Sequence, residues 1–236
     1  MKRILILSFL ILAGSGAMAQ INLNKIKQAV TGTGLSNEEV GAGLKEALTK
    51  GVSKGSDLVS QVDGYFKNAE IKIPFPPEVK NVETRLRQIG MGAEVDKFVL
   101  ALNRAAEDAA KEAKPVFVSA IKQMTIQDAF TILKGQPDAA TQYLQRTTSA
   151  ELTNKFKPII QTSLAKVNAP QYYASLINTY NKIPLVKKVN PNLNDYATGK
   201  ALDGLFVMVA KEEKNIRQNP QARTTALLQK VFGAQQ

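Results

Sequence analysis

The chain has 236 residues, with 31 Lys and Arg against 20 Asp and Glu, and it contains neither Cys nor His. The missing Cys excludes disulfides, and the missing His excludes Ser-His-Asp and Cys-His catalysis, a histidine general base and the usual zinc sites. We therefore predict no catalytic residue of these kinds, no metal site and no cofactor.

Residues 1–19 have the pattern of a secretory signal peptide. Lys2 and Arg3 precede an apolar run at 4–13, and Ala17-Met18-Ala19 matches an A-x-A cleavage site. The run is shorter than the roughly 20 residues needed to span a bilayer. We predict cleavage after Ala19 and a periplasmic protein, the alternative being a retained short N-terminal anchor. Cleavage removes Lys2 and Arg3, which leaves the mature chain with a net charge of 29 − 20 = +9. Residues 20–35 are expected to form a flexible lead-in.

The remaining sequence predicts helices nearly throughout. Ser36 and Glu39 form a capping box that starts the first helix, and Thr125 with Asp128 frame a later start. Three prolines at 70–77 predict an extended connector, with a short strand as one alternative. The apolar spacing predicts helices at 36–63, 79–89, 93–114, 115–124, 125–134, 137–146, 149–167, 170–182 and 200–219, with a last helix from Asn219-Pro220 to Gly233.

These segments predict an all-α, single-domain bundle of about nine helices over residues 36–236, with the Pro-rich connector near 70–77. The tripeptide KIP occurs at 72–74 and at 182–184, and each copy precedes a helix with a lone Asp, Asp96 or Asp203. An internal duplication relating 36–124 to 150–233 would explain this echo. Chance similarity between amphipathic helices would explain it equally.

Asp203 is the one charged residue in the otherwise apolar segment 201–210. Its neighbour Gly204 would allow close approach of another chain segment, so we expect Asp203 to be buried. A buried carboxylate must be paired. Lys200 and Arg104 are the candidate partners in an ion pair that fixes helix docking, and the alternative is a carboxylate in a ligand pocket.

Adjacent acidic residues occur at Glu107-Asp108 and Glu212-Glu213. Neighbours on a helix do not face each other across a cleft. We therefore predict that both pairs lie on solvated helix faces.

Tyrosines crowd the predicted helix at 170–182. Tyr173, Ile177 and Tyr180 share one stripe, which is typical of core packing. The alternative is a cleft whose hydroxyls, with a nearby Arg, bind a lipid or glycan headgroup.

Several longer segments carry a family resemblance. GLKEALTKGVSKG, IKIPFP, the segment 103–135, ATQYL and the segment 201–233 occur in this order. Together they resemble the bacterial family known as domain of unknown function 4197. The resemblance implies an exported helical protein, found mainly in Gram-negative bacteria, and it implies no activity and no site residues.

The leading functional hypothesis is a non-enzymatic binding module for an amphiphilic or anionic ligand of the cell envelope, such as a lipid or glycan, in keeping with the charge of +9. We expect no nucleic-acid partner and no membrane span after signal cleavage. One alternative is an enzyme using carboxylate, Lys or Tyr groups in an interhelical cleft. Another is a structural envelope protein that docks on a partner protein. The candidate ligand-binding residues are Arg104, Tyr173, Tyr180, Asp203, Glu212 and Arg223.

Overall fold

The computed structural model describes residues 36–182, 184–185, 187–223 and 225–233. The predicted signal peptide and lead-in lie outside these residues. The described part contains nine α-helices and no strand, which confirms the all-α prediction. The helices are α1 Asn37–Val59, α2 Lys80–Gln88, α3 Gly92–Ala110, α4 Ala113–Gln123, α5 Ile126–Lys134, α6 Ala139–Ala165, α7 Ala169–Tyr180, α8 Leu193–Gln218 and α9 Ala226–Gly233.

The predicted capping box at Ser36 is present, and the predicted start at Thr125 is a capping box as well. The Ser36 hydroxyl accepts a hydrogen bond from the Glu39 amide at 3.1 Å, and the Glu39 carboxylate accepts one from the Ser36 amide at 2.7 Å. Thr125 and Asp128 make the same reciprocal pair at 3.0 Å each. These starts are predictable because a capping box satisfies helix-end amides within four residues of sequence.

Three predicted helix boundaries are wrong. The segments 137–146 and 149–167 form one continuous helix, α6, within which the Thr148 hydroxyl donates to the Leu144 carbonyl at 2.6 Å. This bond satisfies the hydroxyl inside the helix, so the polar run there does not end it. The helix α8 begins at Leu193, capped by the Asn192 side chain. Asn219 caps a short 3₁₀ turn, Pro220–Ala222, and the last helix begins only after it.

The buried apolar side chains form a core around α8, which packs against α1, α3, α6 and α7. The rings of Phe117 and Phe206 meet edge to face at 5.8 Å in this core. By contrast, α2 is described in full and has no buried residue, and it rests on the core through the half-buried Val82 and Leu86.

The connector between α1 and α2 is irregular and contains no strand, although it is strongly anchored. Ile71, Ile73 and Phe75 are buried. The Asn103 side chain accepts a hydrogen bond from the Ile73 amide and donates one to the Ile73 carbonyl, both at 2.8 Å. The Tyr65 hydroxyl donates to the Ala201 carbonyl at 2.6 Å. The Asn103 side chain of α3 thus performs at Ile73 the pairing that a neighbouring strand would otherwise provide, and Tyr65 ties the connector to α8.

Candidate functional site

A groove of about 560 Å³ opens between α2, α3 and α7. Its volume lies in the range of small-molecule sites, about 300–1,000 Å³. Leu86 contributes from α2, Val95 and Phe98 from α3, and Leu176 from α7. Ten of the twelve lining residues are apolar or aromatic, the exceptions being one Glu and one Lys.

Two tight turns bring the walls of the groove together. Gly90, between α2 and α3, has φ +89, a conformation that glycine adopts without a steric penalty. Asn168, between α6 and α7, has φ 53, which Asn tolerates better than most residues. Met91 follows the first turn, Val167 belongs to the second, and both line the groove.

The inner wall of the groove is aromatic. The rings of Phe75 and Phe98 lie 5.2 Å apart, and Phe98 stacks on Tyr173 at 6.3 Å. Tyr173 is only 2% exposed. Its hydroxyl makes no hydrogen bond to any part of the chain that the structure describes. Burial, with a smaller contribution from Glu78, raises the pKa of Tyr173 to about 12, so the hydroxyl is a proton donor at physiological pH.

The mouth of the groove carries exposed apolar side chains. Met91 is 41% exposed, Val167 54% and Tyr172 71%. Ile89, two residues before Met91, is 69% exposed. Apolar side chains gathered in the open around a groove are typical of a binding surface, whereas single ones scattered over a protein are ordinary.

Two charged residues, Glu94 and Lys97, also line the groove, and both are exposed. Neither forms an ion pair with a described residue. Arg87, on the neighbouring helix α2, is already engaged by Glu83 at 3.0 Å and by Asp96 at 2.8 Å. The hydrogen bonds to Asp96 and Glu83 raise the pKa of Arg87.

Among the six candidate ligand-binding residues, Tyr173 alone lines this groove. Tyr180 lies on the same helix and packs partly buried against the core. The sequence therefore located one wall of the groove through its tyrosines.

Asp203 is not buried, contrary to the prediction. Its side chain is 65% exposed and pairs with Lys200 at 3.2 Å. The burying face of α8 carries Leu202, Leu205 and Phe206, and Asp203 lies outside it. The expected close approach does occur at Gly204, where an added Cβ would lie 2.7 Å from the Tyr65 ring.

Arg104 binds two carboxylates, neither of which is Asp203. It contacts Asp63 and Glu107 at 2.6 Å each. Glu107 is only 3% exposed and also accepts hydrogen bonds from the amides of Tyr65 and Phe66 at 3.1 Å each. The prediction of a solvated Glu107 is wrong, because the carboxylate anchors the α1–α2 connector.

Glu212 and Glu213 are also buried, at 8% and 5% exposed, contrary to the prediction. Glu212 pairs with Lys54 at 2.9 Å. The Glu213 carboxylate accepts hydrogen bonds from the amides of Ala140 and Thr141 at 3.0 and 2.8 Å. It thereby caps the N-terminus of α6, where a negative charge is favourable.

Arg217 and Arg223 donate hydrogen bonds to carbonyl groups at the C-terminal ends of helices. Arg217 binds Glu213 at 2.8 Å and donates to the Ile132 carbonyl, at the end of α5, at 2.8 Å. Arg223, 4% exposed, donates to the carbonyls of Ile216 and Arg217 at the end of α8, at 3.3 and 2.8 Å. These contacts give Arg223 and the buried glutamates a structural role.

Sequence reasoning missed Met91, Glu94, Lys97, Phe98 and Val167 as groove residues. The turn at Gly90 and the end of α6 were both predicted, but no sequence signal joins two turns nearly eighty residues apart. The available clue was the apolar residues beside the two turns, Ile89, Met91 and Val167.

The sequence profile of a family described as protein of unknown function, DUF4197, matches residues 34–233. The chain belongs to this family. Comparison with curated proteins found no match, and comparison with solved structures found none either. For this DUF4197 protein the family description assigns no activity, so the function must be argued from the groove.

No helix in the described part of this DUF4197 protein combines the length and hydropathy needed to cross a bilayer. No group of three or more acidic side chains there is arranged to hold a metal ion.

Proposed function

We propose that this DUF4197 protein is a non-enzymatic binding protein of the periplasm that holds an amphiphilic ligand in the groove between α2, α3 and α7. One observation carries the proposal: an open, apolar groove contains Tyr173, a buried tyrosine whose hydroxyl has no partner among the described residues. Apolar walls with few placed polar groups are characteristic of small-molecule sites.

A hydrocarbon chain suits the apolar walls of the groove. The groove has a volume of about 560 Å³, within the range of small-molecule sites. Burying twelve methylenes contributes about 10 kcal/mol, and association costs at least about 4 kcal/mol. The difference of at most about 6 kcal/mol corresponds to a Kd of tens of micromolar or weaker before any headgroup contact.

The enzyme alternative receives less support from the geometry. Arg104, Asp203, Glu212 and Arg223 were expected to surround one cavity in an enzyme, and none of them lines the groove. Each is bound to a partner of its own: Arg104 to Asp63, Asp203 to Lys200, Glu212 to Lys54, and Arg223 to the carbonyls at the end of α8.

The periplasmic part of the proposal is supported by the signal-peptide pattern of residues 1–19. Expression of the full chain in a Gram-negative host followed by N-terminal sequencing tests it. We expect a mature N-terminus at Gln20 in the periplasmic fraction. An intact Met1 in the membrane fraction would support the retained anchor instead.

Native mass spectrometry of protein purified from the periplasm without detergent tests the binding function. We expect the wild type to carry a bound species of defined mass, and Met91→Arg, at the mouth of the groove, to lose it. Val207→Arg is the matched control, because Val207 is 44% exposed against 41% for Met91 and lies outside the groove. An unliganded wild type that also fails to bind added dodecyl amphiphiles would favour the protein-docking alternative.

A further inference from the structure

The charges at the mouth of the groove point to a more specific ligand, and the inference rests on the proposed function. We infer that the ligand is a phospholipid with a zwitterionic headgroup, whose anionic and cationic parts bind Lys97 and Glu94. The two side chains lie three residues apart on α3, so their backbones are separated by about 4.5 Å along the helix, and both line the groove.

Glu94 and Lys97 are available for a ligand. Opposite charges at this spacing often pair on a helix, yet no ion pair between them occurs, and neither pairs with another residue that the structure describes. Arg87, on α2, is occupied by Glu83 and Asp96. Among the residues that line the groove, Lys97 and Glu94 are therefore one positive and one negative group without an ion pair to a described residue.

A purely anionic headgroup matches this arrangement poorly. It would bind Lys97 and at the same time lie beside the Glu94 carboxylate, which would repel it. The net charge of +9 predicted for the mature chain does not remove this repulsion, because charges farther than about 8–10 Å are screened at physiological salt. A headgroup with a phosphate and an ammonium group satisfies both side chains.

Tyr173 offers a further contact for such a lipid. It lines the groove, and its hydroxyl, which makes no hydrogen bond to a described residue, is suited to donate one to an ester or glycerol oxygen. A phospholipid with a zwitterionic headgroup has all of these features.

Binding of four dodecyl amphiphiles, each below its critical micelle concentration, tests the headgroup. The probes are dodecylphosphocholine, dodecyl phosphate, dodecyltrimethylammonium and dodecyl maltoside, titrated calorimetrically into the purified protein. We expect dodecylphosphocholine to bind most tightly. Lys97→Gln and Glu94→Gln should each weaken its binding about 1.5- to 5-fold, the effect typical of one exposed ion pair.

The two substitutions should also shift headgroup preference in opposite directions. Lys97→Gln should favour dodecyltrimethylammonium, and Glu94→Gln should favour dodecyl phosphate. The double exchange Glu94→Lys with Lys97→Glu should restore the preference for dodecylphosphocholine. Lys214→Gln and Glu151→Gln are matched controls, because both residues are exposed and have no ion pair among the described residues.

The outcomes separate this inference from the proposed function. Equal binding of all four probes, unchanged in the Lys97 and Glu94 variants, would overturn the zwitterionic headgroup and leave the groove as an amphiphile site. Tightest binding of dodecyl phosphate would overturn it in favour of an anionic ligand. No binding of any probe, or binding that survives Met91→Arg, would overturn the proposed function and this inference together.

Discussion

Replacement of Glu107 by Ala should destabilise the protein strongly, although this residue lies in a sequence segment typical of a solvated helix face. The carboxylate is 3% exposed. One of its oxygens accepts from the Tyr65 and Phe66 amides at 3.1 Å, and the other binds Arg104 at 2.6 Å. The substitution removes the acceptor for both amides and leaves them without a partner.

The expected cost follows from these contacts. A buried donor left without an acceptor costs about 1–3 kcal/mol, so two amides give about 2–6 kcal/mol for Glu107→Ala. In Glu107→Gln the amide oxygen still accepts from both backbone groups. This variant loses mainly the pair with Arg104, which is worth little because the Arg104 side chain is 36% exposed. We therefore expect at most about 1 kcal/mol for Gln.

Urea unfolding followed by circular dichroism measures these changes in the free energy of unfolding. Glu151→Ala is the control, since Glu151 is exposed, and it should change stability by less than about 0.5 kcal/mol. Equal losses for Glu107→Ala and Glu107→Gln would refute the argument from the unpaired amides. A loss below about 1 kcal/mol for Glu107→Ala would show that the carboxylate does not anchor the connector.

Three further predictions concern stability. Asp203→Asn should change the free energy of unfolding by less than about 0.5 kcal/mol, because its carboxylate is 65% exposed; a larger loss would contradict the exposed position. Gly204→Ala should cost about 1–3 kcal/mol, because the added Cβ would lie 2.7 Å from the Tyr65 ring. Gly199→Ala, whose Cβ would meet nothing within 4 Å, should instead stabilise α8 by about 0.5–1 kcal/mol. Equal effects of the two variants in urea unfolding would refute the contact at Gly204. Burial raises the folded-state pKa of Tyr173 to about 12. The contribution of this pKa shift to the free energy of unfolding is therefore complete below the unfolded-state pKa near 10, and it is lost as the pH rises towards 12. Tyr173→Phe should therefore flatten the decline in stability between about pH 10 and 12, and an unchanged slope in urea titrations would contradict this.

The helices were predictable where their signals are local. The capping boxes at Ser36 and Thr125 lie within four residues of chain, and so do their hydrogen bonds. The boundaries that failed also involve local bonds: Thr148 donates to the Leu144 carbonyl inside α6, and the Asn192 side chain caps α8. They failed because the same polar residue types occur in loops, in caps and inside helices. The contact of Glu213 with the start of α6 spans more than seventy residues, and no pattern near residue 139 records that acceptor.

The environments of the charged side chains also depend on contacts between distant segments. Asp203 in an apolar run and Glu107 in a charged run were assigned to the wrong environments. A hydrophobic run shows that a helix is largely buried and does not show which residue faces outwards, because that depends on where the neighbouring segments pack. Glu107 is buried because the connector crosses α3 at that point and its two amides need an acceptor.

The sequence by itself determined the helical class, most helix starts, the absence of thiol and imidazole chemistry, and membership of a family. Its tyrosine-rich segment at 170–182 also included Tyr173, which lines one wall of the groove. The tertiary structure alone decided that this wall faces Phe98 and that Glu94 and Lys97 stand at the mouth. The reason is physical: helix signals act over a few residues of backbone, whereas a groove exists only where separate helices fail to cover each other's apolar surface.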